Sequence, residues 1–230
     1  MNGVFVTGTD TGVGKTVVTG LLARYLVESG YNVITQKWVQ TGCPDFISTD
    51  VSLHLKIMGR GKEAIKNYLD YALPYMFRTS SSPHLASSIE NRRIDPDKII
   101  RSYRILSRKF DFVIVEGTGG VLVPLNKKNL LIDIVKKLDL SVVIVAQNKL
   151  GAINHTLLTI EALRRRRIKI LGIVFNNSDK EDKIVLKDNP LIVRALSKEK
   201  IFGVLARRNK FKELYRAFLP IGERMRKVII

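Results

Sequence analysis

The chain has one cysteine, Cys43, in 230 residues. An internal disulfide is therefore impossible and a multi-cysteine metal site is excluded, which suits a reducing compartment. Cys43 reads as a spectator. No apolar run approaches the roughly 20 residues needed to cross a membrane. The chain enters an apolar stretch almost at once, with no basic leader or cleavage site. The expectation is a soluble protein of the cytoplasm. Repeats, low-complexity segments and linkers are missing too, and 45% of the residues are apolar. Residues 1–230 are expected to form a single α/β domain with a full core. Acidic residues are scarce: 21 Asp and Glu stand against 39 Lys and Arg, a net charge of +18. Such an excess attracts nucleic acid or small anions, or is a solvated surface. Its distribution favours the last two. Arg164 to Arg167 close a helical pattern, where cations complement the helix dipole, and from Pro190 onward 11 Lys and Arg accompany 3 Glu. These runs read as helix ends and a tail rather than as the stacking platform that single-stranded nucleic acid requires. Neither nucleic acid nor a membrane is an expected partner.

What is present begins at residue 4. Val4-Phe5-Val6 reads as a buried strand, Gly8-Thr9-Asp10-Thr11-Gly12-Val13-Gly14 as a glycine-rich loop, and Val17, Val18, Leu21, Leu22, Tyr25 and Leu26 as one face of a helix. A loop of this kind turns backbone N–H groups toward one point at a helix N-terminus, where free donors and the dipole attract phosphate. Gly14-Lys15-Thr16 adds a lysine for the β- and γ-phosphates and a hydroxyl for Mg²⁺. The usual pattern has glycine five positions before Gly14; here that residue is Thr9, with Gly8 one step earlier. The motif is a variant P-loop.

Five further runs alternate with helices. Val33 to Lys37, Phe112 to Glu116, Val142 to Ala146, Ile170 to Phe175 and Ile201 to Leu205 read as strands, mostly β-branched and continuous, as in sheets buried on both faces. The fold class is an open, mostly parallel sheet with helices on both faces, P-loop NTPase-like. Ligands bind at the carboxyl ends of such strands, so Lys37, Thr41, Glu116 and Asn176 share a rim with the P-loop. Glu116 stands where an acid holds nucleotide-associated Mg²⁺, or caps a helix. Asp50 opens a helix as an N-cap or as a carboxylate near Mg²⁺; the residues alone leave both readings open. His84 follows Thr79 to Pro83 at a helix start and reads as structural.

Together these segments resemble dethiobiotin synthetases. The blocks are Gly8 to Thr16, Lys37 with Val39 and Thr41-Gly42, Ser82-Pro83-His84, Val115-Glu116-Gly117 with Gly119-Gly120 and Val123-Pro124-Leu125, and Lys149-Leu150-Gly151 with Ile153-Asn154-His155. The resemblance implies an ATP-dependent cyclo-ligase of biotin biosynthesis, with ATP as co-substrate and Mg²⁺ as cofactor. It joins CO₂ to 7,8-diaminopelargonic acid through a carbamate and a carbamic-phosphoric anhydride. It further implies nucleotide contacts from Gly12, Val13, Gly14, Lys15, Thr16, Val17, Glu116 and Asn176, and Mg²⁺ ligation by Thr16, Asp50 and Glu116. Lys37, Lys15 and Thr11 become the catalytic residues, and Thr11, Lys37, Thr41 and Asn154 the substrate contacts. Asn154 acts there across a homodimer interface.

Three departures stand out. Gly12 replaces an acidic residue of some members, Trp38 replaces the proline after the second-strand lysine, and Gly203 to Arg208 lack the usual proline near the base, which puts selectivity for ATP in question. The alternatives are a partitioning or septum-site ATPase and a cobyrinate-type amidotransferase. The first usually has an early second lysine in its P-loop, and Thr9-Asp10-Thr11 offers none; the second needs a glutaminase domain with its own nucleophile.

Overall fold

The computed structural model describes residues 3–45, 47–177, 181–208 and 210–230. Its elements, in chain order, are β1 (Gly3–Gly8), α1 (Lys15–Glu28), β2 (Val33–Lys37), β3 (Val39–Gln40) and α2 (Thr49–Met58). A 3-10 segment, Lys62–Tyr68, leads into α3 (Leu69–Ala72), β4 (Tyr75–Met76), α4 (Pro83–Ile89), α5 (Pro96–Ser107), β5 (Phe112–Glu116) and α6 (Leu131–Lys137). There follow β6 (Ser141–Asn148), α7 (Ala152–Arg165), β7 (Ile170–Asn177), α8 (Lys183–Ser197), β8 (Ile201–Leu205) and α9 (Phe211–Ile229).

Six strands form one parallel sheet in the order β2-β5-β1-β6-β7-β8, and β3 pairs with β4 in a small second sheet. The sequence-based strands all appear: β1, β5, β6 and β7 are apolar runs buried along most of their length, while β2 ends in Thr35-Gln36-Lys37 and the edge strand β8 leaves Val204 exposed. Along β1, Phe5 faces one core while Val4 and Val6 face the other. Along β5, Val113 and Val115 join the first core, and Phe112 and Ile114 the second. Helices α5, α6 and α7 cover the first face, and α1 and α9 the second. Each large side chain buried in these layers contributes about 1.5–3 kcal/mol.

Three segments differ from the pattern. Residues 62–76, helix-like in sequence up to the break at Pro74, form a 3-10 segment, a short α-turn and a two-residue strand. Helix α8 spans Pro190, and α9 runs past Pro220 to Ile229. Buried Phe218, Ile221 and Met225 hold α9 against the core on both sides of that proline. Cations do close the helices: Arg104 on α5, Arg164 and Arg165 on α7, and Arg226 and Lys227 on α9 lie in last turns. Among the described residues no helix is long and apolar enough to cross a membrane.

The topology places the site. Strand β1 is flanked by β5 on one side and β6 on the other, so the order of building reverses there and opens a crevice at its carboxyl end.

Candidate active site

The loop after β1 fills that crevice. Gly14, with φ 100, is the N-cap of α1 and leaves the first turn without a side-chain cap. Thr9 N–H donates to Val145 O at 3.1 Å, tying the loop to β6. A Cβ on Gly8 would stand 2.8 Å from Lys15 Nζ and 2.7 Å from Val13, so the lysine can fold back over the loop only because position 8 is glycine. Lys15 Nζ donates to Asp10 O at 2.8 Å. Burial, with the like charge of Lys37 beside it, lowers the Lys15 pKa to about 8.

Strand β2 brings the second lysine. Lys37 and Glu116 are register partners on adjacent strands, so their side chains leave the sheet on the same face. Lys37 Nζ lies 2.7 Å from Glu116 Oε1 and 2.7 Å from Asp50 Oδ2, and donates to Gly117 O at 3.1 Å. Burial alone would lower the Lys37 pKa, but the two carboxylates outweigh it and hold the ammonium above its ordinary range. Burial likewise pushes Glu116 up; the Lys37 charge and the bonds from His54 and Lys37 overcome it and bring the carboxyl down to about 2. Thr16 Oγ1 donates to Glu116 Oε1 at 2.9 Å.

Asp50 is not the N-cap of α2. Ser48 takes that place, its Oγ accepting from Val51 N–H at 3.0 Å. Asp50 turns its carboxylate to Lys37 instead, which takes it out of the cap and into the cavity wall. One turn later on the same helix, the fully buried His54 sets Nε2 2.7 Å from Glu116 Oε2. The sequence reading missed His54. Its signal was a polar residue four positions after Asp50, which places both on one helix face.

These groups surround a cavity of about 680 Å³, within the range of small-molecule sites. Of the residues singled out in the sequence, Thr11, Gly12, Gly14, Lys15, Thr16, Val17, Lys37, Thr41, Asp50 and Glu116 line it. The rest of the lining includes Ser80, Ser81, Ser82 and Pro83 as well as Gln40, Thr49, Thr118 and Gly119. Val13 is buried behind the loop. Asn176 sits beside it: Nδ2 donates to Val13 O at 3.1 Å, and a Cβ on Gly14 would collide with that amide. Asn154 is exposed on the first turn of α7 and does not line the cavity. His84 also stands outside the lining, bonded through Nδ1 to the Ser82 hydroxyl of its own turn at 3.0 Å. Burial pushes the Cys43 thiol up, away from the reactive thiolate. Trp38 replaces the expected proline without opening the site. It is buried, donates from Nε1 to Gln36 Oε1 at 2.9 Å, and packs 5.0 Å centroid to centroid against Phe5 under the P-loop strand.

Among the described residues, no three His, Cys, Asp or Glu side chains converge to hold a metal by themselves. Thr16, Asp50 and Glu116 are instead a hydroxyl and two carboxylates on one rim. That set fits Mg²⁺, which binds through one or two carboxylates, keeps several waters and takes phosphate oxygens.

Comparison with known proteins agrees with this geometry. The chain matches a family described as an AAA domain over residues 2–213. It is 43% identical over 199 residues to an ATP-dependent dethiobiotin synthetase, BioD, of Chlorobaculum tepidum, covering 86% of this chain and 82% of that one. It is 36% identical over 213 residues to the BioD protein of Thermodesulfovibrio yellowstonii, covering 88% of each. Among solved structures, the cell division ATPase MinD of Pyrococcus furiosus superposes with a TM-score of 0.60 over 99% of both chains, at 18% identity. A pNOB8 ParA bound to nonspecific DNA gives 0.58 at 12% identity, over 99% of this chain and 96% of that one. The last two share the fold alone. With a P-loop, a second lysine between two carboxylates and relatives of this identity over most of its length, the chain belongs to the ATP-dependent dethiobiotin synthetase family.

Proposed function

We propose that the protein closes the ureido ring of dethiobiotin, using ATP, CO₂ and 7,8-diaminopelargonic acid. The observation that carries this reading is the convergence on one cavity of a phosphate-binding loop and a second, independently held lysine. A simple nucleotide switch needs the first. A phosphoryl transfer between two anions needs both.

In the reaction, one amine of the substrate adds to CO₂ and loses a proton to give a carbamate. A carbamate oxygen attacks the γ-phosphorus of ATP, ADP leaves, and a carbamic-phosphoric anhydride remains. The second amine then attacks the carbonyl carbon, phosphate departs, and the ring closes. The chain's part is positioning and charge stabilisation. The free amides of the first turn of α1 and the Lys15 ammonium hold the phosphates, with Gly12, Val13 and Val17 shaping the loop around them. Lys37 stands between the transferring phosphoryl group and the carbamate, where negative charge accumulates. Thr11 and Thr41 hold the carbamate and diamine, and Asn176, next to the loop, contacts the base. Thr16, Asp50 and Glu116 would hold Mg²⁺, which when bound neutralises phosphate charge.

The reading extends to one domain over residues 1–230, to the cytoplasm, and to a homodimer. Asn154 is exposed, outside the cavity of its own chain, and Leu150 and Leu158 near it expose 78% and 57% of their surface. An isologous contact there covers apolar surface and carries Asn154 to the far carboxylate of a substrate held by the other subunit. Mixing Lys15→Ala with Asn154→Ala under subunit exchange should restore part of the activity; none after proven exchange rejects the shared site.

The reaction itself is tested by giving the purified protein ATP, Mg²⁺, bicarbonate and the diamine. Dethiobiotin detected by mass is the expected result. Nucleotide turnover without dependence on the diamine overturns it.

A further inference from the structure

The inner face of α2 is built from Val51, Leu55, Ile57 and Met58. A leucine at position 54 would continue that face without desolvating a polar group. The chain has a histidine there, none of whose surface is exposed. Helices α1 and α2 close over it at Gly20, where an added Cβ would stand 3.4 Å from the His54 Cα. The ring is left facing the end of β5.

Its two nitrogens are used unequally. Nε2 lies 2.7 Å from Glu116 Oε2. An ionised carboxylate only accepts, so Nε2 is the donor. Nδ1 has no partner. The ring is placed for that one bond. The carboxylate is divided in the same way: Oε1 receives the Thr16 hydroxyl and the Lys37 ammonium, both from residues that line the cavity. Oε2 is turned into the protein.

We propose that His54 is a positioning residue: by holding Oε2 it fixes the rotation of the Glu116 carboxylate, so that Oε1 alone is offered to the divalent cation accompanying the nucleotide. The inference rests on the reading of this cavity as a nucleotide and Mg²⁺ site. Asp50 and His54 then divide the work of one helix face, Asp50 meeting the cavity and His54 setting the other carboxylate from behind. Partners that orient a metal ligand in this way typically change metal affinity or activity 10–100-fold when removed.

The test uses the whole protein, Mn²⁺ as the probe, and electron paramagnetic resonance with a non-hydrolysable ATP analogue bound, so that no turnover is needed. His54→Leu keeps the apolar packing and removes the donor. His54→Gln carries an amide nitrogen about as far from the backbone as Nε2, whereas the amide of His54→Asn stops short. Leu and Asn should each weaken Mn²⁺ binding about 10-fold or more and raise the Mg²⁺ needed for turnover, with the KM for the diamine unchanged; Gln should return Mn²⁺ affinity to within about 3-fold of the parent. Thermal melts establish that each variant is folded. A folded Leu variant with parental Mn²⁺ affinity, or Gln as weak as Leu, overturns the proposal. Should Leu fail to fold, the Asn and Gln pair decides it by the same criterion. Failure of the parent to make dethiobiotin would remove the proposed reaction, while the Mn²⁺ comparison still decides what His54 does.

Discussion

Lys15, at the start of α1, and Lys37, at the end of β2, reach one cavity, and they differ in their company. Lys15 bonds to a backbone carbonyl, Asp10 O, and forms no salt bridge among the described residues. Burial and the neighbouring Lys37 lower its pKa to about 8. Lys37 is enclosed by Glu116, Asp50 and the Gly117 carbonyl, and its charge is held above the ordinary range. The difference separates two kinds of cation. A buried ammonium with no anion of its own is a binding site for an incoming one. In the proposed reaction, an ammonium already balanced by two carboxylates would add little to ground-state binding and act on charge that develops later.

The largest effects should come from the lysines themselves. Lys15→Ala is expected to abolish turnover and weaken nucleotide binding together. Lys37→Ala should lower kcat on the order of 10²-fold or more while nucleotide still binds, as expected for a group that acts mainly in the transition state. Next comes Glu116→Gln, which removes one of the charges that balance Lys37. It should raise the Mg²⁺ needed for half-maximal activity about 10-fold; a metal titration like the parent's would make Glu116 purely structural.

A smaller effect is expected at the seam between α1, which begins with Lys15, and α2, which carries Asp50, the carboxylate partner of Lys37. On α1, a Cβ at Gly20 would stand 2.9 Å from Ile57 Cδ1 and 3.1 Å from Ile57 Cβ on α2. Gly20→Ala should therefore cost about 1–3 kcal/mol through overpacking, seen as a Tm lowered by about 2–4 °C per kcal/mol. Because it moves α2, it should disturb the Asp50 and Glu116 side of the site more than the P-loop. Nucleotide affinity falling before kcat would contradict that.

The smallest effect lies at the far end of α1. Glu28 accepts from Arg24 and from the Tyr215 hydroxyl of α9, at 2.8 and 2.7 Å. The Arg24 bond first, then that of Tyr215, lowers the Glu28 pKa below its ordinary value. The folded state thus favours the ionised carboxylate, and its contribution is present above the unfolded pKa and lost as pH falls through the folded one. Tyr215→Phe should remove part of it, less than about 1 kcal/mol because half of the Glu28 side chain is exposed to solvent. The loss should be visible near neutral pH and shrink in acid, with both lysine phenotypes unchanged. A loss that is constant with pH would assign it to packing.

The strands and the P-loop were legible because each is a local pattern: continuous β-branched runs, and glycines before Lys15 and Thr16. Lys37 and Glu116 could be placed on a common rim, but their direct pairing depends on β2 lying beside β5, a neighbour relation that no local pattern encodes. Asp50 was ambiguous because an aspartate at a helix start can cap it or face a ligand, and only the fold shows Ser48 in the cap position. His54 was hidden by the apolar periodicity around it. The pair β3 and β4 is too short to show a period, and Pro190 masked α8 because a proline usually breaks a helix that tertiary packing here maintains. Asn154 was singled out through family resemblance, and a single chain leaves it outside the cavity.

The measurement that bears most directly on the contrast between the lysines is a calorimetric titration of a non-hydrolysable ATP analogue into Lys37→Ala and Lys15→Ala, each against the parent. The account predicts that Lys37→Ala binds within about 3-fold of the parent although its kcat has fallen on the order of 10²-fold, while Lys15→Ala binds markedly more weakly. Equal losses of affinity in the two variants would contradict it.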